Sequence, residues 1–227
     1  QITKDPNGKE FKVDNVKLPP GLDADQLSDR MALLNAVNKQ QIALAASAEA
    51  GKLTEQQSKA AALLTSGAVA KAFDIGQESD KTRDTYGRHM FGQSLLLARR
   101  LVQAGVPVVQ ANMGRVQSWD SHSNNFQRLK KDLLPPLDTG VSALLDDLTT
   151  TGLIDDVMVI VMGEFGRTPK VDNKNNGGRD HWAACFCGAF FGGGVKGGQV
   201  VGKSDATAAY PSTTPFSPDD LGATVYH

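Results

Sequence analysis

Residues 157–182 read VMVIVMGEFGRTPKVDNKNNGGRDHW. The first six, Val157 to Met162, are all apolar and four of them are β-branched. So short an apolar run predicts a strand buried on both faces rather than a helix. It stops at Gly163-Glu164-Phe165-Gly166-Arg167-Thr168-Pro169, where an acid and a base follow the strand among glycines that let the backbone approach a ligand closely. A polar loop intervenes, and the chain returns with Gly178-Arg179-Asp180-His181-Trp182. Glu164, Arg167, Asp180 and His181 thus fall in one short segment, a set suited to a metal ion or an anion. The rest of the chain reads as support for that loop.

Working outward, strand signals also occur at Val106–Ala111, VPVVQA, with Pro107 placed near the strand start because it lacks a backbone donor. Asn112 to Phe126 follows, and then a long amphipathic helical region. Phe126, Leu129 and Leu133 share one face, Pro135-Pro136 interrupts, and Leu137, Val141, Leu144, Leu145 and Leu148 resume the period up to Gly152. Strand, helix, strand predicts a βαβ unit with a parallel pair and a right-handed crossover. Both strands then end at the same sheet edge, where open α/β sheets bind ligands. Trp119-Asp120-Ser121-His122 is thereby expected beside Glu164 and Arg167.

Before this part the chain reads as helical. Phe11, Val13 and Val16 suggest one edge strand, and Leu27, Met31, Leu34 and Val37 recur at helical steps. A second helix is expected over Gln41–Ala50, and a third from Thr54, as N-cap, to about Leu64. A short one covers Ala68–Phe73, and a long one runs from about Gly87 to Ala104, burying Phe91, Leu95, Ala98, Leu101 and Val102. Residues 22–105 form a helical layer without a catalytic constellation, and 106–227 a strand-rich part that carries the site. After it, Ala183–Phe191 is a further strand candidate, Gln199–Val201 a hairpin return, and Asp219 or Asp220 the cap of a last helix.

The 227 residues can bury a substantial core as one domain. With 24 Lys and Arg against 25 Asp and Glu, no net charge points to nucleic acid or an anionic membrane. No apolar run approaches the roughly eighteen residues of a spanning helix. Cys185 and Cys187, two apart on an expected strand, would share a face and read as small core residues rather than a disulfide. The start at Gln1 and the stop at Tyr226-His227, within a developing helix, read as the ends of a fragment.

Three further motifs have competing readings. Gly197 to Ser204 matches the phosphate-loop pattern GxxxxGK[ST], but the residues after Ser204 lack the helical period that mechanism needs. A glycine-rich hairpin is the reading kept. Arg99-Arg100 is a solvated pair on a helix, and His89 and His227 are structural or exposed. Asp120 and His122 can meet one ion, with Trp119 walling off water. Equally, Asp120 or Asn124 can cap the following helix, and Asp180 can pair with Arg179 or Arg167. What favours an ion is the combination. Asp120, Glu164 and Asp180 converging on one edge repel one another, and burying them unpaired costs several kcal/mol. A divalent cation, or protonation of one acid, relieves this, and His122 and His181 beside the acids favour a cation such as zinc or manganese, with calcium as a third choice.

The series FDIGQES, YGRHMFGQSLLLARRLVQAGV, WDSHSNNF, GEFGRTP, GRDHW, GGGVKGGQVVGKSD and PFSPDDLGATVYH resembles the DUF1501 family of bacterial proteins, sulfatase-like relatives of the alkaline phosphatase superfamily. The resemblance runs from about Phe11 to the end. It implies an alkaline-phosphatase-like α/β sheet with flanking helices, of which this chain is the C-terminal part, and a periplasmic or secreted setting. It also implies a metal-assisted hydrolase of a small anionic phosphate or sulfate ester, with a Ser, Thr or modified Cys nucleophile upstream. Asp120 and His122 resemble a metal-ligand pair, and His181 the last histidine ligand. Glu164-Phe165-Gly166 stands where relatives often carry Asp-His-Gly. Arg167 resembles a residue that grips the anion's oxygens. Phe165 cannot ligate, and the spacing from Asp120 to His122 is tighter than usual. The alternative function is a catalytically inactive, metal-stabilised binding protein of the cell envelope.

Overall fold

The computed structural model describes residues 4–9, 11–13, 18–44, 68–113 and 118–226. They form a mixed helical and β structure. The chain divides into two compact units, Gln1–Asp84 with Arg88–Ala111, and Thr85–Gly87 with Asn112–His227.

The first unit holds helices α1 (Ala24–Leu44), α2 (Ala68–Phe73), most of α3 (Asp80–Tyr86) and α4 (Met90–Gln103). α1 opens with a reciprocal cap: Gln26 N–H donates to Asp23 Oδ1 at 2.7 Å and Asp23 N–H to Gln26 Oε1 at 3.2 Å. It runs unbroken through the expected division at Val37–Gln41; what was expected over residues 45–67, including the Thr54 helix, lies outside the described residues, as do Val16 and His227. Phe11 and Val13 are not in a strand. The long helix expected from about Gly87 to Ala104 is present as α4, unbroken from Met90 to Gln103. Gly87 sits at φ +87°, and His89, extended at φ −138°, accepts Gly92 N–H on Nδ1 at 3.1 Å as the N-cap of α4. Phe91, Leu95, Leu96, Leu97 and Leu101 bury the inner face of α4, with Ile75 and Ala72 buried in the same unit. Arg99 and Arg100 are not a solvated pair. Both meet Glu78, Arg99 at 3.1 Å, with all three side chains less than 15% exposed. Three charges this buried persist only because they are paired.

The second unit begins with α5 (Asn125–Arg128), passes through a π turn at Leu129–Leu133 and continues as α6 (Leu134–Thr150). Pro135 and Pro136 therefore do not break the helical run; they lie in the first turn of α6, directly after the π turn. Gly140, Ala143, Leu144 and Leu148 are buried, one stripe at steps of three and four. α6 ends at Gly152, φ +73°.

β1 (Met158–Met162) follows, as expected, but its partner is different. It pairs antiparallel with β4 (Gly188–Gly192), Met158 opposite Gly192 and Met162 opposite Gly188. The predicted βαβ unit is absent among the described residues. Val106–Ala111 is not a strand: Pro107 removes a ladder donor, and Val108 is 78% exposed. β1 is half-buried rather than buried on both faces, because its sheet has two strands. A second, smaller sheet pairs β2 (Gly166–Arg167) with β3 (His181–Trp182), setting Arg167 opposite His181. Gly166 tolerates no side chain, since a Cβ would lie 2.2 Å from the Cys185 carbonyl oxygen.

Cys185 and Cys187 fall outside β4, the first half-buried and the second exposed. Gln199–Val201 is not a strand, and no helix follows Ser204; the next one, α7, spans Pro218–Tyr226. Its cap is Ser217 rather than Asp219 or Asp220. Ser217 Oγ accepts Asp220 N–H at 3.2 Å, and Asp220 Oδ2 accepts Ser217 N–H at 2.7 Å. No helix among the described residues is long and apolar enough to cross a membrane.

Candidate metal centre

Two loops build the site by docking backbone on backbone. Arg179 N–H donates to the Ser121 carbonyl at 3.2 Å, and Asn124 N–H to the Asn175 carbonyl at 3.1 Å. Gly178 is buried between them, where an added Cβ would lie 1.8 Å from the His122 carbonyl oxygen. Only glycine allows this approach. On the other side of the segment, Thr168 N–H donates to the Asp180 carbonyl at 2.8 Å and Asp180 N–H to Thr168 Oγ1 at 3.0 Å. β2 and β3 are thereby clasped, and His181 is delivered to the WDSH loop.

Everything converges on one oxygen. Asp120 Oδ1 lies 2.8 Å from His181 Nε2, 3.0 Å from His122 Nε2 and 2.6 Å from Arg167 Nη2. The imidazole rings sit 5.0 Å apart, and the Phe165 ring rests 4.4 Å from that of His181. His181 first, and Arg167 second, hold the Asp120 carboxyl down to about 2 by hydrogen bonding, against a smaller opposing effect of burial. Asp120 is thus a carboxylate, not a helix cap; nor does Asn124 cap α5 with its side chain.

The residues gather as follows. Asp120, His122 and His181 each present a ligand atom, all within 4.8 Å of one another. A tetrahedral ion with bonds of about 2.1 Å separates its ligands by roughly 3.4 Å, so one cation is within reach of all three. The side chains of His122, His181 and Asp120 are 48%, 51% and 31% exposed, which leaves room for an exchangeable ligand. Asp180 stands behind this group: its Oδ1 is 2.6 Å from Nδ1 of His122. Arg167 is anchored, donating to the carbonyls of Trp119 at 3.1 Å and Arg179 at 3.2 Å as well as to Asp120. Glu164 is exposed in the loop after β1 and stays outside the group. Trp119 is half-buried, with its indole N–H buried and unpaired among the described residues.

Two contributors are not evident from spacing. Gly178 is legible only as half of a Gly-Gly pair before Arg179, a sign of close backbone approach without its partner. Phe165, unable to ligate, instead packs on a ligand ring. The donor set of one carboxylate and two imidazoles fits a divalent metal ion.

No curated protein and no solved structure matches the chain. Its full length, residues 1–227, matches the model of the family described as "Protein of unknown function (DUF1501)", and the chain belongs to that family.

Proposed function

We propose that this chain forms part of a metal-dependent hydrolase of phosphate or sulfate esters, with zinc or manganese at Asp120, His122 and His181. The observation that carries the reading is the meeting of both histidine Nε2 atoms and the Arg167 guanidinium at a single carboxylate oxygen. Such a centre serves anionic oxygens well. A bound ion supplies Lewis-acid stabilisation of charge on the ester. Arg167 carries five N–H groups, and those not given to Asp120, Trp119 and Arg179 can be offered to the same anion. Phe165 shields one face of His181, while the exposed sides of both histidines leave a path for a small substrate. An alkaline-phosphatase-like sheet, suggested by the sulfatase-like resemblance, is part of the proposal.

The test uses protein purified without chelators, supplied with zinc or manganese, and assayed for bound metal and for hydrolysis of p-nitrophenyl phosphate and sulfate. Wild type should hold metal and turn over at least one ester. His181→Ala should lose both, whereas Lys130→Ala, an exposed change on the π turn, should lose neither. Metal retained without any hydrolysis would favour the metal-stabilised binding protein. Stoichiometric metal in His181→Ala would remove His181 from the ligand set.

A further inference from the structure

We infer that Asp180 is not a metal ligand but a positioning residue, which holds His122 in the one tautomer and orientation that presents Nε2 to the ion. This rests on the reading of Asp120, His122 and His181 as the ligands. The geometry divides the two acids around His122 by ring nitrogen. Nε2 faces Asp120 Oδ1 at 3.0 Å, inside the group of three, while Nδ1 faces Asp180 Oδ1 at 2.6 Å, outside it. A carboxylate only accepts, so the short contact at Nδ1 requires the proton to sit there. By the same rule the contact of Nε2 with Asp120 places a proton there in the metal-free molecule. With the Nδ1 proton held by Asp180, Nε2 is the nitrogen that releases its proton to solvent when a cation takes its place. Histidines that ligate metals characteristically hand their second nitrogen to such an outer carboxylate, which sets the tautomer and raises the ring's basicity.

Asp180 is fixed well enough for this task although its side chain is 71% exposed. Its backbone is held on both sides by Thr168, through the 2.8 Å and 3.0 Å bonds of the β2–β3 clasp. The neighbouring residues Asp180 and His181 therefore serve two different rings. His181 enters the group directly, and Asp180 acts through His122. Thr168 is the shared support.

The experiment compares wild type, Asp180→Ala, Asp180→Asn and His181→Ala by zinc competition against a chromophoric chelator. Alongside it, long-range ¹H–¹⁵N spectra of the imidazoles are recorded on the metal-free proteins. Asp180→Ala should keep the wild-type stoichiometry but bind zinc about 10–100-fold more weakly. Asp180→Asn, whose amide oxygen still accepts from Nδ1–H, should recover most of that loss. Without metal, wild type should show a His122 Nδ1–H protected from solvent exchange, absent in Asp180→Ala. Wild-type zinc affinity in Asp180→Ala overturns the inference and leaves the metal centre standing. Loss of stoichiometric binding in Asp180→Ala, matching His181→Ala, overturns it by making Asp180 a direct ligand. A wild type that binds no zinc overturns the metal centre and this inference together.

Discussion

A single carboxylate oxygen receiving three donors lies at the middle of the candidate site, and its charge is the first thing to test. Asp120 is ionised far below the ordinary carboxylate range because His181 and Arg167 hydrogen-bond to it. A depressed folded-state value contributes stability that is complete above about 4, the unfolded range, and is lost as pH falls through about 2. Metal-free wild type should therefore exceed Asp120→Asn in thermal stability at pH 5, with the gap closing towards pH 2. A gap unchanged over that window would show that the carboxylate charge contributes nothing. Arg167, 19% exposed, combines the Asp120 ion pair with two carbonyl bonds. Its truncation to Ala should destabilise the protein by about 1.5–3 kcal/mol, the range for hydrogen bonds to charged groups; denaturant unfolding measures it.

At the scale of elements, β2 and β3 are each two residues long, far below the size at which a strand pair stands alone. The clasp exists because glycines let its neighbours in. Gly178→Ala forces a Cβ to within 1.8 Å of the His122 carbonyl, which is backbone and cannot swing aside, so the two loops must part. It should weaken zinc binding by at least about tenfold and cost more than about 1 kcal/mol in denaturant unfolding. Gly197→Ala meets nothing within 4 Å and should do neither. Equal zinc affinity in the two variants would disprove the docking account. Lys203 belongs to a different kind of element. Its N–H is taken by Thr213 Oγ1 at 3.0 Å and no helix follows it before Pro218, so Lys203→Ala should change neither metal content nor hydrolysis. ATP binding abolished by that substitution would instead restore the phosphate loop.

For the whole molecule, each unit has its own buried apolar cluster, and the candidate metal centre lies entirely in the second. Zinc at about 100 times its dissociation constant stabilises a site by about 2.7 kcal/mol. Hydrogen exchange should slow at residues 118–128 and 165–182, while amides of Leu95–Leu101 change little; uniform slowing throughout would contradict a local centre. Much of this was legible in the sequence. The apolar run at Val157–Met162 declared β1, the leucine periods declared α4 and α6, and the acid and histidines of WDSH and GRDHW declared a cluster that could hold a metal ion. Those features are local: periodicity and functional groups are carried by a few neighbouring residues. Only the tertiary structure decided that β1 pairs with β4 and not with Val106–Ala111, that Arg99 and Arg100 share Glu78, that Glu164 stays in solvent, and that Asp180 faces the far nitrogen of His122. Each of these is a choice of partner among distant residues. For the strand pair and for the site, such a choice is settled by which backbones approach closely enough, here at Gly192 and Gly178, and no local pattern records where the other side of that approach will be.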